Sequence, residues 1–204
     1  MMKFVIAQSK GGSMKSTLAT NLAATLSKNY ATALVDTDPQ KTSLFWGRNR
    51  KAKEPKTLYS SFDDLNSTVS LLEKNDTEAV IIDTSGHYSD SLKDVFSIAD
   101  LTIIPVRPSL PDLLTVPKIL ELVGDRPHKI VVAMALKKAL ETTDIVEALR
   151  DKFNEIPFKT IITHRQSYIR AFSRSLSVTE MSGDYTAKRE INSLVEEIVS
   201  LVDL

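Results

Sequence analysis

The sequence contains no cysteine among its 204 residues. This absence excludes disulfide bonds, thiolate nucleophiles and cysteine-ligated metal or iron–sulfur centres. No apolar run comes near the length of about 18 residues that spans a bilayer. The first residues also lack the pattern of a secretory signal, because the short apolar run after Lys3 soon reaches Gln8-Ser9-Lys10. We therefore expect a cytoplasmic protein.

Net charge is the second feature that is missing. Lys and Arg total 26 and Asp and Glu also total 26, so the global charge gives no argument for nucleic-acid binding. Any such binding must come from a local patch. The content of 42% hydrophobic and 25% charged residues is ordinary for a globular protein. At this length we expect a single domain over residues 1–204.

A glycine-rich segment, Lys10 to Thr17, follows a short apolar stretch and precedes a helical pattern. Strand, glycine-rich turn, Lys-Ser and helix is the order of a phosphate-binding loop. Backbone N–H groups and the helix N-terminus attract anions there, and glycines let the backbone approach closely. Lys15 adds a mobile positive charge, and Ser16 adds a hydroxyl for Mg²⁺. The alternative is a plain Gly-Gly turn, but the motifs downstream favour the phosphate loop.

Met14 departs from this pattern, because the residue before the lysine is normally glycine. A side chain here is expected to resist the required backbone dihedrals or to meet the bound phosphate. The sequence therefore predicts reduced nucleotide affinity or turnover.

Two apolar stretches end in aspartate, at Asp36 and at Asp83. Carboxylates at strand ends lie at the sheet edge where α/β folds bind ligands. After a phosphate loop, we interpret Asp36 and Asp38 as metal-binding or water-positioning residues, with an Asp-Pro turn as the alternative. The stretch that ends at Asp83 has the pattern that holds Mg²⁺ through water.

Strand–loop–helix units recur along the chain, with further apolar stretches at 101–105, 129–134 and 158–163. They predict an α/β fold with a mostly parallel twisted sheet and helices on both faces. We expect helices over 62–74, 110–123, 143–153 and 190–204. The polar face of the last helix is acidic, which argues against binding to anionic membranes.

Two basic segments stand out against the neutral background. Residues 48–56 hold five basic residues and one acidic residue; a solvated loop is the simplest reading, and a DNA-facing patch is the alternative. Residues 159–174 contain no acidic residue, and Tyr168 and Phe172 lie at helical spacing between the arginines. This second segment either contacts DNA or is a helix whose aromatic side is buried.

The combined motifs resemble the deviant Walker ATPases of the ParA/MinD family, most closely the small plasmid-partition ParA proteins of the ParF type. Lys10 to Thr17 resembles their Walker A box, with Lys10 as the extra signature lysine. Asp36–Gln40 resembles their Walker A′ box, and Ile81–Thr84 their Walker B. Asp100–Ser109 resembles the loop that holds adenine, and Thr163–Tyr168 resembles the corresponding C-terminal region.

This resemblance implies an ATPase of the P-loop type, with ATP or ADP and Mg²⁺ as its cofactors, that forms a homodimer on ATP. It implies that Lys10 reaches the phosphates of the partner protomer and that Asp38 positions the attacking water. The implied catalytic residues are Lys10, Lys15 and Asp38; the nucleotide-binding residues are Lys10, Gly11, Gly12, Ser13, Met14, Lys15, Ser16, Thr17, Pro105, Val106, Arg107 and Pro108; the metal-binding residues are Ser16, Asp36 and Asp83; and the DNA-binding residues are Arg165, Arg170, Arg174 and Lys188.

For the small ParA subclass the resemblance implies DNA partitioning by a slow, nucleoid-associated ATPase. The ATP dimer would bind non-specific DNA, and a centromere-bound partner of the ParB or ParG type would stimulate hydrolysis and release. Three alternatives stay open. A MinD-like membrane switch is disfavoured by the acidic C-terminal helix. A scaffold or positioner of protein cargo would have lost turnover through Met14. A nucleotide-dependent ligase is the third, and Lys10 argues against it.

Overall fold

The computed structural model describes residues 1–86, 91–136 and 140–202. A seven-stranded sheet forms the centre of this part of the chain, and every pair of neighbouring strands is parallel. In chain order the strands are β1 (Met2–Ile6), β2 (Thr32–Asp36), β3 (Lys56–Tyr59), β4 (Ala79–Asp83), β5 (Leu101–Val106), β6 (His128–Ala135) and β7 (Ile162–Thr163). Their spatial order is β3-β2-β4-β1-β5-β6-β7. The expected α/β class with a parallel sheet is confirmed.

Nine helices connect the strands within the described residues. They are α1 (Lys15–Leu26), α2 (Thr42–Arg48), α3 (Leu65–Lys74), α4 (Ser91–Ser97), α5 (Leu110–Leu113), α6 (Val116–Val123), α7 (Leu140–Phe153), α8 (Gln166–Ser173) and α9 (Tyr185–Ser200). None of the helices described here has both the length and the apolar character of a membrane span.

Side chains of the central strand alternate between two separate cores. Phe4 and Ile6 of β1 face a cluster that includes residues of α1, α8 and α9, whereas Val5 faces a cluster that includes residues of α3, α4, α6 and α7. All three side chains are fully buried. Because helices cover both faces, the inner strands are continuous apolar runs, as parallel sheets require.

Two elements differ from the sequence prediction because each is short and half exposed. The segment expected to be a solvated loop, residues 48–56, has neither helix nor strand over 49–55. The two elements that were not predicted flank it, with α2 before it and β3 beginning at its last residue. Strand β3 pairs only with β2 at the sheet edge, and Lys56 and Tyr59 at its ends are exposed. An edge strand of this kind has no uninterrupted apolar run, so the pattern that reveals the inner strands is missing.

The predicted helix over 110–123 is divided into α5 and α6. The Thr115 hydroxyl donates to the Asp112 carbonyl at 2.7 Å, and Pro117 lies in the first turn of α6. Proline favours a new helix start because it needs no N–H partner there. The expected strand over 158–163 is also shorter, since only Ile162 and Thr163 pair with β6. The predicted last helix ends at Ser200 in the structure, and residues 203–204 lie outside the described ranges.

The register of the inner strands places their carboxyl ends at one level. Asp83 pairs with Ile6 of β1 on one side and with Asp36 of β2 on the other. The connection from β1 leads to β2 on one side of it, whereas the connection from β4 crosses to β5 on the other side of β1. Ligands of open α/β sheets bind at such a switch point, outside the carboxyl ends of the strands.

Candidate functional site

The loop between β1 and α1 is held in shape by the side chain of Gln8, which is 1% exposed. Its carbonyl oxygen accepts hydrogen bonds from the Ser9 backbone N–H at 2.8 Å and from the Thr115 hydroxyl at 3.1 Å. Its amide nitrogen donates to the Pro105 carbonyl at 3.2 Å. Gln8 therefore ties the loop to β5 and to the start of α6. The sequence analysis assigned Gln8 no role, because Pro105 and Thr115 lie about a hundred positions away in the chain.

Met14 adopts the backbone conformation that the sequence led us to doubt. Its φ is 74° and its ψ is 13°, the left-handed region, and it immediately precedes α1. Gly12 also has a φ of 74°. The loop thus has the shape of a phosphate loop, although the left-handed conformation costs an L-residue about 1–2 kcal/mol. The Met14 side chain is half-buried and packs against the core on the α1 face.

Lys15 is 9% exposed and lies above the carboxylate edge of the sheet. Burial lowers the pKa of its ammonium, and the nearby Asp83 and Asp38 carboxylates offset only part of this change. A methyl group on Gly86 would lie 3.5 Å from the Lys15 ammonium and 3.1 Å from the Ser9 carbonyl. Glycine at position 86 therefore allows the close approach of the Ser9 backbone, whereas the distance to Lys15 is an ordinary contact.

Asp83 is the carboxylate at the end of β4, close to Lys15 and Ser16. It is wholly buried, and burial raises its pKa to about 7 despite a hydrogen bond from the Ser43 hydroxyl and the proximity of Ser16. Its other oxygen, Oδ1, is buried without a hydrogen-bond partner among the described residues, and so is the Ser13 hydroxyl. Unpaired buried acceptors are costly, so a cation near Asp83 and Ser16 would satisfy this site.

A magnesium ion fits this donor set only together with phosphate oxygens. Within the described ranges no group of three or more His, Asp or Glu side chains could hold a metal ion. Mg²⁺ commonly uses one or two carboxylates plus substrate phosphates and water. Asp83 and Ser16 meet that requirement, and the ion would neutralise phosphate charge beside Lys15.

Asp36, whose metal role stays a prediction, is engaged by backbone N–H groups. It is fully buried, and its two oxygens accept backbone hydrogen bonds, Oδ1 from Asp38 at 2.9 Å and Oδ2 from Leu44 at 2.8 Å. Burial raises its pKa, while these two bonds oppose the change. Asp36 thus shapes the loop that leads from β2 into α2. The half-buried Asp38 lies on the open side of that loop.

A polar cleft of about 280 Å³ opens over the loop and contains the predicted phosphate-binding residues. An apolar cavity of about 200 Å³ adjoins it. A polar cleft continuous with an apolar cavity matches a nucleotide, which joins charged phosphates to a flat base. The cleft is lined by Gly11, Gly12, Ser13, Met14, Lys15, Ser16, Thr17, Asp38 and Gly86, and the cavity by Gly12, Met14, Thr17, Met134, Thr163, His164, Arg165, Tyr168 and Ile169.

The segment predicted to frame the base lies partly inside β5 and partly beside Met134. Pro105 and Val106 are buried inside β5, and neither lines a cavity described above. Arg107 and Pro108 line a separate cavity of about 410 Å³ beside Met134. The apolar cavity lies instead between the ends of β6 and β7. Sequence reasoning missed it because its walls come from segments far apart in the chain.

Lys10 is engaged within its own chain. Its ammonium lies 2.7 Å from Asp112 Oδ2, and Arg107 reaches the same carboxylate with Nε at 2.9 Å and Nη2 at 3.1 Å. The Ser109 hydroxyl also donates to it. Burial alone would raise the pKa of Asp112, but the hydrogen bonds from Arg107, Lys10 and Ser109 hold it below the usual range. Asp112 is a site residue that the sequence analysis did not identify.

The four residues predicted to contact DNA fall into two groups. Arg165 is bound within the protein: its Nε donates to the Thr163 hydroxyl at 2.7 Å, and Nη1 lies 3.4 Å from Asp184. Arg170 and Arg174 are exposed on and just after α8, and Lys188 is half-buried with its ammonium 5.9 Å from the Tyr185 ring centre. Their role in DNA binding stays a prediction.

We expect Met14→Gly to increase affinity for MgATP by about 3- to 10-fold. Glycine removes the methionine side chain from the wall of the cleft, where bound phosphate would meet it. The strain of the left-handed backbone, about 1 kcal/mol, is present without nucleotide as well, so its relief should raise stability rather than affinity. Isothermal titration with MgATP measures the change. Asn154→Gly is the matched control, because Asn154 also has a positive φ, 55°, but lines neither the cleft nor the apolar cavity. Equal gains in both variants would contradict an effect specific to the phosphate loop.

Comparisons with known proteins agree with this geometry. Residues 4–178 match the model of the CobQ/CobB/MinD/ParA nucleotide-binding domain. The chain is 25% identical to the maintenance of carboxysome distribution protein A (McdA) of Halothiobacillus neapolitanus, covering 95% of this chain and 94% of that protein. It is 31% identical to a ParA protein of Rhizobium radiobacter over 62% of this chain and 58% of that protein.

A solved structure shows the same fold. The ATP complex of a McdA variant from Cyanothece superposes with a TM-score of 0.79 at 16% identity, covering 98% of this chain and 96% of that one. At this identity the likeness concerns the fold alone.

Proposed function

The chain belongs to the CobQ/CobB/MinD/ParA nucleotide-binding family, whose ParA and MinD members are ATPases, and from this premise we propose that it is a ParA-type ATPase that positions DNA. Its ATP dimer binds DNA without sequence specificity. A partner protein of the ParB or ParG type, bound at a centromere, stimulates hydrolysis and releases the dimer. The protein works in the cytoplasm on the nucleoid.

One observation carries the nucleotide part of this proposal. The polar cleft with Lys15 and Asp38 on its walls runs into the apolar cavity at the ends of β6 and β7, and the two share Gly12, Met14 and Thr17. The phosphates of ATP fit the first and the adenine fits the second. Phosphoryl transfer needs mainly positioning and charge neutralisation, which is what these residues supply.

Each residue of the cleft has a distinct task. The loop backbone and Lys15 bind the β- and γ-phosphates. Ser16 and Asp83 would hold a Mg²⁺ ion, which would supply positive charge for the phosphate oxygens. Asp38 orients the attacking water from the open side of the cleft. Asp36 holds the loop between β2 and α2 in place, because its carboxylate accepts two backbone hydrogen bonds from that segment.

Lys10 links nucleotide binding to dimerisation in this scheme. In the single chain its ammonium is neutralised by the buried Asp112. In the ATP dimer Lys10 leaves Asp112 and binds the phosphates held by the partner protomer. Arg107 then remains to neutralise Asp112 through its two hydrogen bonds. The exchange favours the dimer only when phosphate is present.

A positioner of protein cargo is the second candidate function. It is supported by the full-length similarity to a carboxysome distribution protein, which covers 95% of this chain. The fold and the nucleotide site would serve both functions equally. The two candidates differ in the cargo-bound partner that stimulates hydrolysis.

Dimerisation and DNA binding test the proposal together. Light scattering after size exclusion should show a monomer without nucleotide and a dimer with MgATP. Fluorescence anisotropy with a labelled duplex of random sequence should show binding that needs MgATP and weakens steeply with salt. A protein that dimerises on MgATP but never binds duplex DNA would favour the protein-cargo function instead.

A further inference from the structure

A cluster of exposed cations covers α2 and the segment that leads into β3. We call it the α2–β3 patch, and it consists of Lys41, Arg48, Lys51, Lys53 and Lys56. Glu54 is the single acidic residue between positions 41 and 60, in a chain whose total charge is zero. The nucleotide site as described above does not use the patch.

The charges of the patch are available to a ligand. Within the described residues, none of its five cations forms an ion pair; Lys41 only lies over the Tyr59 ring, with 4.4 Å between its ammonium and the ring centre. Arg50 on the same segment differs, because Glu180 binds its guanidinium at 2.7 Å and its side chain is 2% exposed. Arg50 therefore anchors the segment, whereas its neighbours face solvent.

The composition of the patch points to a polyanion. Four of its five cations are lysines, and lysine is depleted at the centres of protein–protein interfaces. An unpaired, lysine-rich surface on a neutral protein is the electrostatic footprint of phosphate-backbone binding. Phe45, which is 68% exposed, is the one large apolar side chain of α2 that faces solvent. A single aromatic ring does not form the apolar centre that a protein partner would need.

The patch continues toward the exposed arginines of α8. Arg50 Nη1 donates to the Ser175 carbonyl at 3.0 Å, and Trp46 Nε1 donates to the Leu176 carbonyl at 3.3 Å. These bonds join α2 to the segment directly after Arg174. The segment that bears the patch therefore packs against the segment that follows Arg174.

The patch is also tied to the nucleotide site. Ser43 on α2 donates to Asp83, and the Leu44 backbone N–H donates to Asp36. Lys41 donates through its backbone N–H to the Asp38 carbonyl at 2.8 Å. These hydrogen bonds join the helix that bears part of the patch to Asp83, Asp36 and the Asp38 loop.

We propose that the α2–β3 patch binds the phosphate backbone of duplex DNA, next to the α8 arginines and under the control of the nucleotide site. The inference rests on the proposed function, since it names the surface through which the ATP dimer holds DNA. Duplex DNA carries one negative charge per about 1.7 Å of its axis, which matches a row of separate flexible cations without a base-reading pocket.

The test compares DNA binding by a variant that lacks three positive charges of the patch with binding by a variant that lacks three positive charges elsewhere on the surface. The test variant is Arg48→Gln/Lys51→Gln/Lys53→Gln. The control variant is Lys74→Gln/Arg150→Gln/Lys152→Gln, whose exposed side chains lie at the ends of α3 and α7. Both variants lose the same charge. Circular dichroism and MgATP titration on each verify that the fold and the nucleotide site are intact.

Anisotropy with a labelled duplex and MgATP is recorded from 50 to 200 mM salt. We expect the test variant to bind duplex DNA at least 10-fold more weakly. The slope of log K against log[salt] should become less steep by about 2 to 3, because each lost phosphate contact removes about 0.9 from its magnitude. The control variant should keep both values. Equal weakening in the two variants, or an unchanged slope in the test variant, overturns the inference. Failure of the unaltered protein to bind duplex DNA overturns the proposed function instead.

Discussion

Lys15→Gln should reduce ATP turnover, as kcat/KM, by about 100- to 1,000-fold, the loss typical for one preorganised group that stabilises the transition state. Lys15 is the buried cation of the phosphate cleft, and Asp83 and Asp38 lie close enough to affect its pKa. Without its charge, the carboxylates would repel the incoming phosphates. A coupled assay of phosphate release measures the change.

The thermal stability of the Lys15→Gln variant distinguishes a loss of catalysis from misfolding. Burial lowers the pKa of Lys15 more than the neighbouring carboxylates raise it, so the ammonium costs the fold free energy at neutral pH. We therefore expect the thermal midpoint of Lys15→Gln to stay equal or to rise. Lys28→Gln, in the exposed segment just after α1, is the control and should leave turnover unchanged. If Lys15→Gln kept turnover within a factor of three of the unaltered protein, Lys15 would not be a catalytic residue.

Asp112→Asn should lower the free energy of unfolding by about 2 kcal/mol at neutral pH. Asp112 is wholly buried, and its carboxylate accepts hydrogen bonds from Lys10, Arg107 and Ser109. Removing one partner of a buried ion pair costs about 3–5 kcal/mol. The lower figure follows because Lys10 and Arg107 are 29% and 27% exposed, so water partly solvates them. Urea denaturation measures the difference.

The effect of Asp112→Asn should also depend on pH in a defined direction. The pKa of Asp112 is held below its unfolded value, so the stability it supplies is present above about pH 4 and is lost as the pH falls through the folded value. The difference between the variant and the unaltered protein should therefore shrink in acid. Asp151→Asn, on the exposed side of α7, is the control. A difference that grows below pH 4 would contradict the ion-pair account.

Local patterns were sufficient to predict the phosphate loop and the carboxylate edge. The strand, turn and helix around Lys15 are contiguous in the chain, and Asp36 and Asp83 end strands whose apolar runs are plain. A parallel sheet then brings those ends together. The prediction needed no knowledge of side-chain packing.

Features that depend on contacts between distant segments were not predictable in this way. Asp112 pairs with Lys10 across 102 positions, and Gln8 bonds the Pro105 carbonyl across 97. The apolar cavity combines Met14 with the ends of β6 and β7. Helix α2 and strand β3 were missed because their exposed residues follow no apolar period. Met14 was expected to resist the required backbone dihedrals, whereas in the structure its backbone adopts the left-handed conformation.

The central claim is that this chain binds and slowly hydrolyses MgATP in the cleft around Lys15. The most direct test is phosphate release by the unaltered protein, with and without Mg²⁺ and duplex DNA, beside the Met14→Gly and Lys15→Gln variants. The account predicts slow turnover that needs Mg²⁺, rises or holds in Met14→Gly, and is lost in Lys15→Gln. Absence of both ATP binding and turnover in the unaltered protein and in Met14→Gly would contradict it.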